Sequence, residues 1–139
     1  MVLRHAEKAD DGTRNPPLTD AGNERAERTA ALLASLDVAA VVSTPYTRTE
    51  QTAKPIAELF SLDVETYDPR KAGDALDRLG REHAGRVVVV VGHSNTVPAI
   101  VRALGADPGV EQIDEAEYGR VYLVTPVEGA EPVCHLLRS

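Results

Sequence analysis

Two histidines and two arginines follow apolar runs that are typical of strands. Arg4 and His5 come after the first run, Arg48 shortly after the second, and His93 after a run of five valines. A guanidinium group can donate two parallel hydrogen bonds to two oxygens of a phosphoryl group, and it keeps its positive charge. A neutral imidazole can accept that group covalently, and a second imidazole can donate hydrogen bonds to its oxygens. The set therefore predicts phosphoryl chemistry in which the positive charge comes from side chains rather than from a metal.

Strand-like and helix-like segments alternate along the chain and must position these four side chains. The predicted strands are Val2-Leu3, Val38–Ser43, Val64–Tyr67, Val87–Val91, Tyr118–Val124 and Val133–Leu137. The predicted helices run from an N-cap at Thr19 to about Leu36, from an N-cap and first turn at Thr44-Pro45, over Ala75–His83 and over Ser94–Leu104. This alternation predicts an α/β three-layer sandwich, with a mostly parallel central sheet and helices on both faces. The valine run suits a central strand buried on both sides.

Length and composition restrict the possibilities further. The 139 residues suit one domain, residues 1–139, and the 42% apolar and 27% charged content is that of an ordinary globular chain. The net charge of -7 disfavours nucleic acid and anionic membranes as partners, so a phosphorylated substrate would need cations concentrated in one pocket. A single cysteine, Cys134, and no apolar run suited to a secretory signal or a membrane span predict a cytoplasmic location. The sequence leaves the oligomeric state open.

Four ordered motifs resemble the histidine phosphatase superfamily, also called the phosphoglycerate mutase-like family, over nearly the whole chain. The motifs are Leu3-Arg4-His5-Ala6-Glu7, Pro17-Leu18-Thr19-Asp20-Ala21-Gly22, Ser43-Thr44-Pro45-Tyr46-Thr47-Arg48-Thr49 with Gln51-Thr52-Ala53, and Val91-Gly92-His93-Ser94-Asn95. Ala6 stands where the common family motif has glycine. The short chain looks like the short bacterial members, which include phosphohistidine phosphatases.

The resemblance implies a role for each matching residue. His5 would become phosphorylated, Arg4, Arg48 and His93 would form the phosphate pocket, and no metal or organic cofactor would be needed. The family also uses a carboxylic acid whose position varies between branches. Asp68 is the favoured candidate here, and Glu65, Glu7 and Glu50 remain alternatives.

The predicted function is a phosphatase that hydrolyses phosphomonoesters or protein phosphohistidine through phospho-His5. Its partner would be a phosphorylated small molecule or a phosphoprotein. Two alternatives remain open: a sugar-phosphate mutase of the same fold, and a non-catalytic module that binds phosphate or a phosphoprotein. The loop after the first strand could contact substrate through its polar side chains, which are Glu7, Lys8, Arg14 and Asn15. The remaining histidines, His83 and His135, lack the spacing of a zinc site.

Overall fold

The valine run forms a central strand of a six-stranded sheet in the computed structural model, which describes residues 1–139. The strands are β1 (Val2–Arg4), β2 (Val38–Ser43), β3 (Val64–Thr66), β4 (Val87–Gly92), β5 (Arg120–Thr125) and β6 (Val133–Arg138). Their order across the sheet is β3-β2-β4-β1-β5-β6. The first four in this order are parallel, whereas β5 and β6 join in antiparallel pairs. The mostly parallel sheet is confirmed.

Four helices cover the sheet, two on each face. They are α1 (Asp20–Leu32), α2 (Thr47–Leu59), α3 (Ala72–Glu82) and α4 (Thr96–Ala103). Ala30 of α1 and Ile56 of α2 pack with Val89 and Val91 on one face. On the other face, apolar side chains of α3 and α4 pack against the alternate side chains of the strands. The three-layer sandwich is therefore confirmed, and none of its helices has the length and apolar character needed to span a membrane.

Several predicted helix boundaries are wrong. Helix α3 starts at Ala72 rather than Ala75, and helix α4 starts at Thr96 rather than Ser94. Helix α1 ends at Leu32 rather than near Leu36, because the chain turns there with the Leu36 N–H donating to the carbonyl of Leu33. Helix α2 starts at Thr47, with Tyr46 rather than Thr44 in the N-cap position. The Thr44 hydroxyl is engaged elsewhere, since it donates to the Thr49 hydroxyl and contacts the His93 ring. Thr44, which was expected to cap a helix, therefore contacts His93 instead.

The sheet register brings the ends of three strands to one edge. Arg4 is paired with Gly92, and Ser43 with Val91. The backbone N–H of His5 continues the β1–β4 pairing by donating to the carbonyl of Gly92 at 2.9 Å. Because the carboxyl ends of parallel strands meet at the same edge, the residues that follow β1, β2 and β4 face a common space.

A close backbone contact fixes the segment that follows His5 against helix α1. A Cβ added to Gly22 would lie 2.2 Å from the carbonyl oxygen of Glu7, so only glycine fits at this position without a shift. The Thr19 N–H donates to the same carbonyl at 2.9 Å, and the Thr19 hydroxyl accepts from the Gly22 N–H at the start of α1. The residues Thr19 and Gly22 of the second motif thus hold the first motif in place.

Candidate active site

The structure brings His5, Arg48 and His93 together around an open cavity of about 340 Å³, with Arg4 buried beside it. The ring centroids of the two histidines are 5.5 Å apart, with one ring edge facing the other ring. The lining is almost entirely polar. Residues distant in the sequence therefore form one cationic, hydrogen-bonding site at the carboxyl edge of the sheet.

A larger cavity of about 430 Å³ lies at the opposite edge of the sheet. Its walls are mostly apolar and include Leu76, Leu79 and Leu123, with His83 as its one imidazole. A lone ring among aliphatic side chains offers no set of groups for catalysis. The smaller, polar cavity is therefore the candidate active site.

His5 has one ring nitrogen free to act as a nucleophile. Its Nδ1 lies 2.8 Å from the carbonyl oxygen of Ala6. A carbonyl only accepts hydrogen bonds, so Nδ1 must carry the proton and Nε2 the lone pair. The residue as a whole is 4% exposed. Burial together with this hydrogen bond therefore fixes both the orientation and the tautomer of the ring.

His93 is held by two partners that fix the opposite tautomer. Its Nδ1 lies 3.4 Å from Nη2 of Arg48, which can only donate. Its Nε2 lies 2.8 Å from the Thr44 hydroxyl, which donates its own hydrogen to Thr49. The ring of Tyr46 contacts His93 edge to face, with 5.1 Å between centroids. His93 therefore presents a lone pair to Arg48 and donates from Nε2 to Thr44.

The two arginines contribute buried donors that have no partner. The Nε atoms of Arg4 and Arg48 are both inaccessible to water and make no hydrogen bond. An unsatisfied buried donor costs about 1–3 kcal/mol, and more where the group is charged. Arg48 lines the polar cavity and Arg4 is buried beside it, so two guanidinium groups concentrate positive charge there, as expected of a site for a phosphate-like anion.

The terminal nitrogens of Arg4 bind a loop rather than the open cavity. Nη1 donates to the carbonyls of Asp114 and Glu117, at 2.9 and 2.6 Å, and Nη2 donates to the carbonyl of Glu115 at 3.1 Å. The guanidinium also lies 4.3 Å from the ring centroid of Tyr118. Arg4 therefore anchors residues 114–117 beside the site, and its Nε is the donor left without a partner.

Both imidazoles are neutral over the physiological pH range. Burial, together with the charges of Arg4 and Arg48, lowers the pKa of His5 from 6.5 to about 4, although the hydrogen bond to the Ala6 carbonyl acts to raise it. Burial, then Arg48 and Arg4, lower the pKa of His93 to about 4 as well. Neutral rings are the nucleophilic form, so the site is set for attack on an electrophile.

We expect the His5 and His93 rings to remain neutral as the pH is lowered from 7 to 5. The pKa of an unfolded histidine is near 6.5, whereas the pKa of both folded rings is about 4. Between these two pH values the unfolded chain therefore binds more protons than the folded chain. The free energy of unfolding should consequently fall as the pH drops through that range. An NMR titration of the imidazoles measures this, with His5→Ala and His93→Ala to assign the resonances. Titration of either ring near 6.5 would contradict it.

The loop that follows β1 separates into residues near the cavity and residues engaged elsewhere. Lys8 lines the cavity. The Asn15 amide donates to the Thr47 hydroxyl and accepts from the Thr47 N–H, both at 2.9 Å, which fastens the loop to the start of α2. Glu7 binds Arg25 of α1 through both carboxylate oxygens. Arg14 is exposed and lies outside the cavity lining.

The carboxylates considered from the sequence all lie outside the cavity lining. Asp68 accepts from the backbone and side chain of Arg70 at 2.9–3.2 Å, although its neighbour Pro69 does line the cavity. Glu65 pairs with Arg78, and Glu50 is exposed on α2. The carboxylate that does line the cavity is Glu115.

Sequence reasoning missed the contributions of Glu115 and Tyr118. Both belong to the segment between α4 and β5, which has neither strong periodicity nor a motif. Only the register of β5 beside β1 brings this segment to Arg4. Tyr46 and Thr44 were present in the third motif, but their contact with His93 becomes visible only in three dimensions.

The family model described as the histidine phosphatase superfamily (branch 1) matches residues 1–70, a segment that contains Arg4, His5 and Arg48. The chain belongs to this superfamily. No curated protein sequence is similar enough to count as a match.

Several solved structures resemble the chain. The protein histidine phosphatase SixA complexed with tungstate is 22% identical, with 99% of this chain and 94% of that chain covered and a TM-score of 0.76. The putative phosphohistidine phosphatase SixA from Agrobacterium tumefaciens is 27% identical, with 74% and 73% covered and a TM-score of 0.57. Phosphoserine phosphatase from Entamoeba histolytica, in complex with 3-phosphoglyceric acid, is 15% identical, with 99% and 95% covered and a TM-score of 0.72.

Proposed function

We propose that residues 1–139 act as one catalytic domain, a phosphatase that hydrolyses phosphomonoesters or protein phosphohistidine through phospho-His5. The observation that carries the proposal is the pair of buried, unpartnered Nε donors of Arg4 and Arg48 beside the free lone pair of His5. A phosphoryl group in the cavity would lie beside both guanidinium groups and meet the nucleophile. Membership of the histidine phosphatase superfamily supports the same reaction.

In the first step, Nε2 of His5 attacks phosphorus in line while the bond to the leaving group breaks. Positive charge develops on the ring, and the Ala6 carbonyl stabilises it through the Nδ1–H. Arg48 and the Nε of Arg4 bind oxygens of the transferring group. A bound phosphoryl dianion also favours the protonated form of His93, whose Nδ1 then donates to that group instead of accepting from Arg48.

In the second step, water attacks phospho-His5 and the phosphorus–nitrogen bond breaks, which regenerates the neutral ring. An acid–base carboxylate assists both steps by giving a proton to the leaving oxygen and taking one from water. Asp68 is the prediction from the sequence for this role. A phosphohistidine substrate needs less help, because its leaving group is a nitrogen.

We further propose that the reaction needs no metal. No three side chains of the types that ligate metals converge in the structure. Arg4 and Arg48 supply the positive charge that a metal would otherwise provide at a phosphoryl group. The single cysteine is consistent with a cytoplasmic enzyme acting on a phosphorylated small molecule or a phosphoprotein.

The experiment that tests the function is phosphate release by the wild-type protein from p-nitrophenyl phosphate, a panel of phosphomonoesters and a phosphohistidine peptide. We expect turnover that persists in excess EDTA, because the positive charge is covalently part of the chain. Transfer of the phosphoryl group between monophosphates without phosphate release would indicate a mutase instead. Binding of vanadate without turnover of any substrate would indicate a non-catalytic module.

A further inference from the structure

Glu115 is the one carboxylate among the side chains that line the cavity. The Ser94 hydroxyl, directly after His93 in the chain, donates to its Oε1 at 2.7 Å. Its Oε2 lies 3.3 Å from Nη2 of Arg4, and the same nitrogen donates to its backbone carbonyl. Two side chains therefore direct this carboxylate to the site, and its backbone is fixed as well.

The side chain of Glu115 is held at the cavity but remains reachable. It is 69% exposed, whereas the Arg4 side chain is 1% exposed. An acid–base group must meet a leaving group that enters from solvent, so it must lie at the open side of the pocket. Glu115 meets this requirement, and the buried Arg4 provides its fixed anchor.

The other polar groups near the cavity are poorly suited to both halves of the reaction. The Lys8 ammonium has no lone pair with which to take a proton from water. The free nitrogen of His93 faces Arg48, and the carboxylate of Asp68 is occupied by Arg70. A carboxyl group can give a proton in one step and accept one in the next.

We propose that Glu115 is the acid–base residue of the reaction, an inference that rests on the proposed phosphatase function. A substrate monoanion delivers its proton to the Glu115 carboxylate when it binds. The carboxylic acid then gives this proton to the leaving oxygen as the oxygen–phosphorus bond breaks and the bond from His5 to phosphorus forms. Next, the carboxylate takes a proton from water as the water oxygen bonds to phosphorus and the bond to His5 breaks.

The electrostatic surroundings of Glu115 are consistent with such a cycle. With no anion bound, the Ser94 hydrogen bond and the charges of Arg4 and Lys8 hold the pKa of Glu115 below the ordinary value. A phosphoryl dianion would offset these cations and favour protonation of the carboxylate. The carboxylate thus gains its proton when substrate is present and loses it when the leaving group departs.

The test compares Glu115→Gln with Asp68→Asn on a series of substituted phenyl phosphates whose leaving phenols range from acidic to weakly acidic. An acidic dinitrophenol leaves as its anion and needs no proton, whereas unsubstituted phenol benefits from one. We expect Glu115→Gln to reduce kcat/KM, which reports the step in which the leaving group departs, about 100-fold for phenyl phosphate and less than about 3-fold for dinitrophenyl phosphate. Asp68→Asn should show no such dependence on the leaving group, with kcat/KM for the two substrates changed by the same factor.

Glu111→Gln is the matched control, because Glu111 lies in the same loop but is 96% exposed and pairs only with Arg102. Retained turnover of dinitrophenyl phosphate shows that Glu115→Gln has folded. An equal loss for all substrates in Glu115→Gln would show that Glu115 only positions other groups, and it would overturn the proposal. A loss confined to poor leaving groups in Asp68→Asn would overturn it as well. If the wild type released phosphate from no substrate, the proposed function itself would fail, which is a distinct result.

Discussion

Replacing His5 with alanine should reduce kcat by about 10⁴-fold or more, because no other imidazole in the cavity offers a free nucleophilic lone pair. The remaining nitrogen lone pair, on His93, faces Arg48, and the Ser94 hydroxyl donates its hydrogen to Glu115. The measurement is phosphate release from p-nitrophenyl phosphate under single-turnover and steady-state conditions. Vanadate binding should survive in part, since Arg4, Arg48 and His93 are still present.

His135→Ala is the matched control, because His135 lies exposed on the edge strand β6. It should leave turnover unchanged. A His5→Ala variant that retains a cooperative thermal transition and keeps turnover within about tenfold of the wild type would contradict a phospho-His5 intermediate. Hydrolysis would then proceed by direct attack of water on the bound substrate.

Replacing Arg48 with alanine should lower kcat/KM by about 10³-fold and weaken vanadate inhibition. Arg48 has two roles that alanine removes together: its Nε is a buried donor without a partner, and its Nη2 contacts Nδ1 of His93. The guanidinium also lies 4.9 Å from the ring centroid of Tyr46, which orients it. Initial rates over a range of substrate concentrations, together with the inhibition constant of vanadate, measure both effects.

Two further variants show whether the loss belongs to the site. Arg48→Lys keeps the charge without the planar donor pair, so it should recover only part of the activity. Arg86→Ala removes an arginine that pairs with Asp37, with both side chains largely exposed, and should have no effect. Vanadate inhibition that is equally strong in Arg48→Ala and the wild type would show that Arg48 does not bind the phosphoryl group.

The sequence was most informative about the buried strands and about the residues that directly follow them. The valine run predicted a central strand because a strand buried on both faces needs apolar side chains at every position. It lies between β2 and β1 in the structure. His5 and His93 could be predicted to lie close together, because residues directly after parallel strands meet at one edge of the sheet.

The sequence was least informative where long-range contacts override local preference. Thr44-Pro45 has the local pattern of a helix start, but the Thr44 hydroxyl contacts His93, and the helix begins at Thr47. Arg4 was expected to present its guanidinium fork to phosphate. Its terminal nitrogens instead bind backbone carbonyls of residues 114–117, which no local pattern links to β1.

The interior position of β1 also has a consequence for folding. This three-residue strand pairs only with residues 90–92 of β4 and 121–122 of β5. During synthesis, the centre of the sheet therefore cannot close until residue 122 has left the ribosome. Closure of so long a loop is slow, and apolar surface of the earlier segments stays uncovered in the meantime. We expect the nucleophile, which directly follows β1, to reach its native surroundings only after the segment that forms β5 has been synthesised.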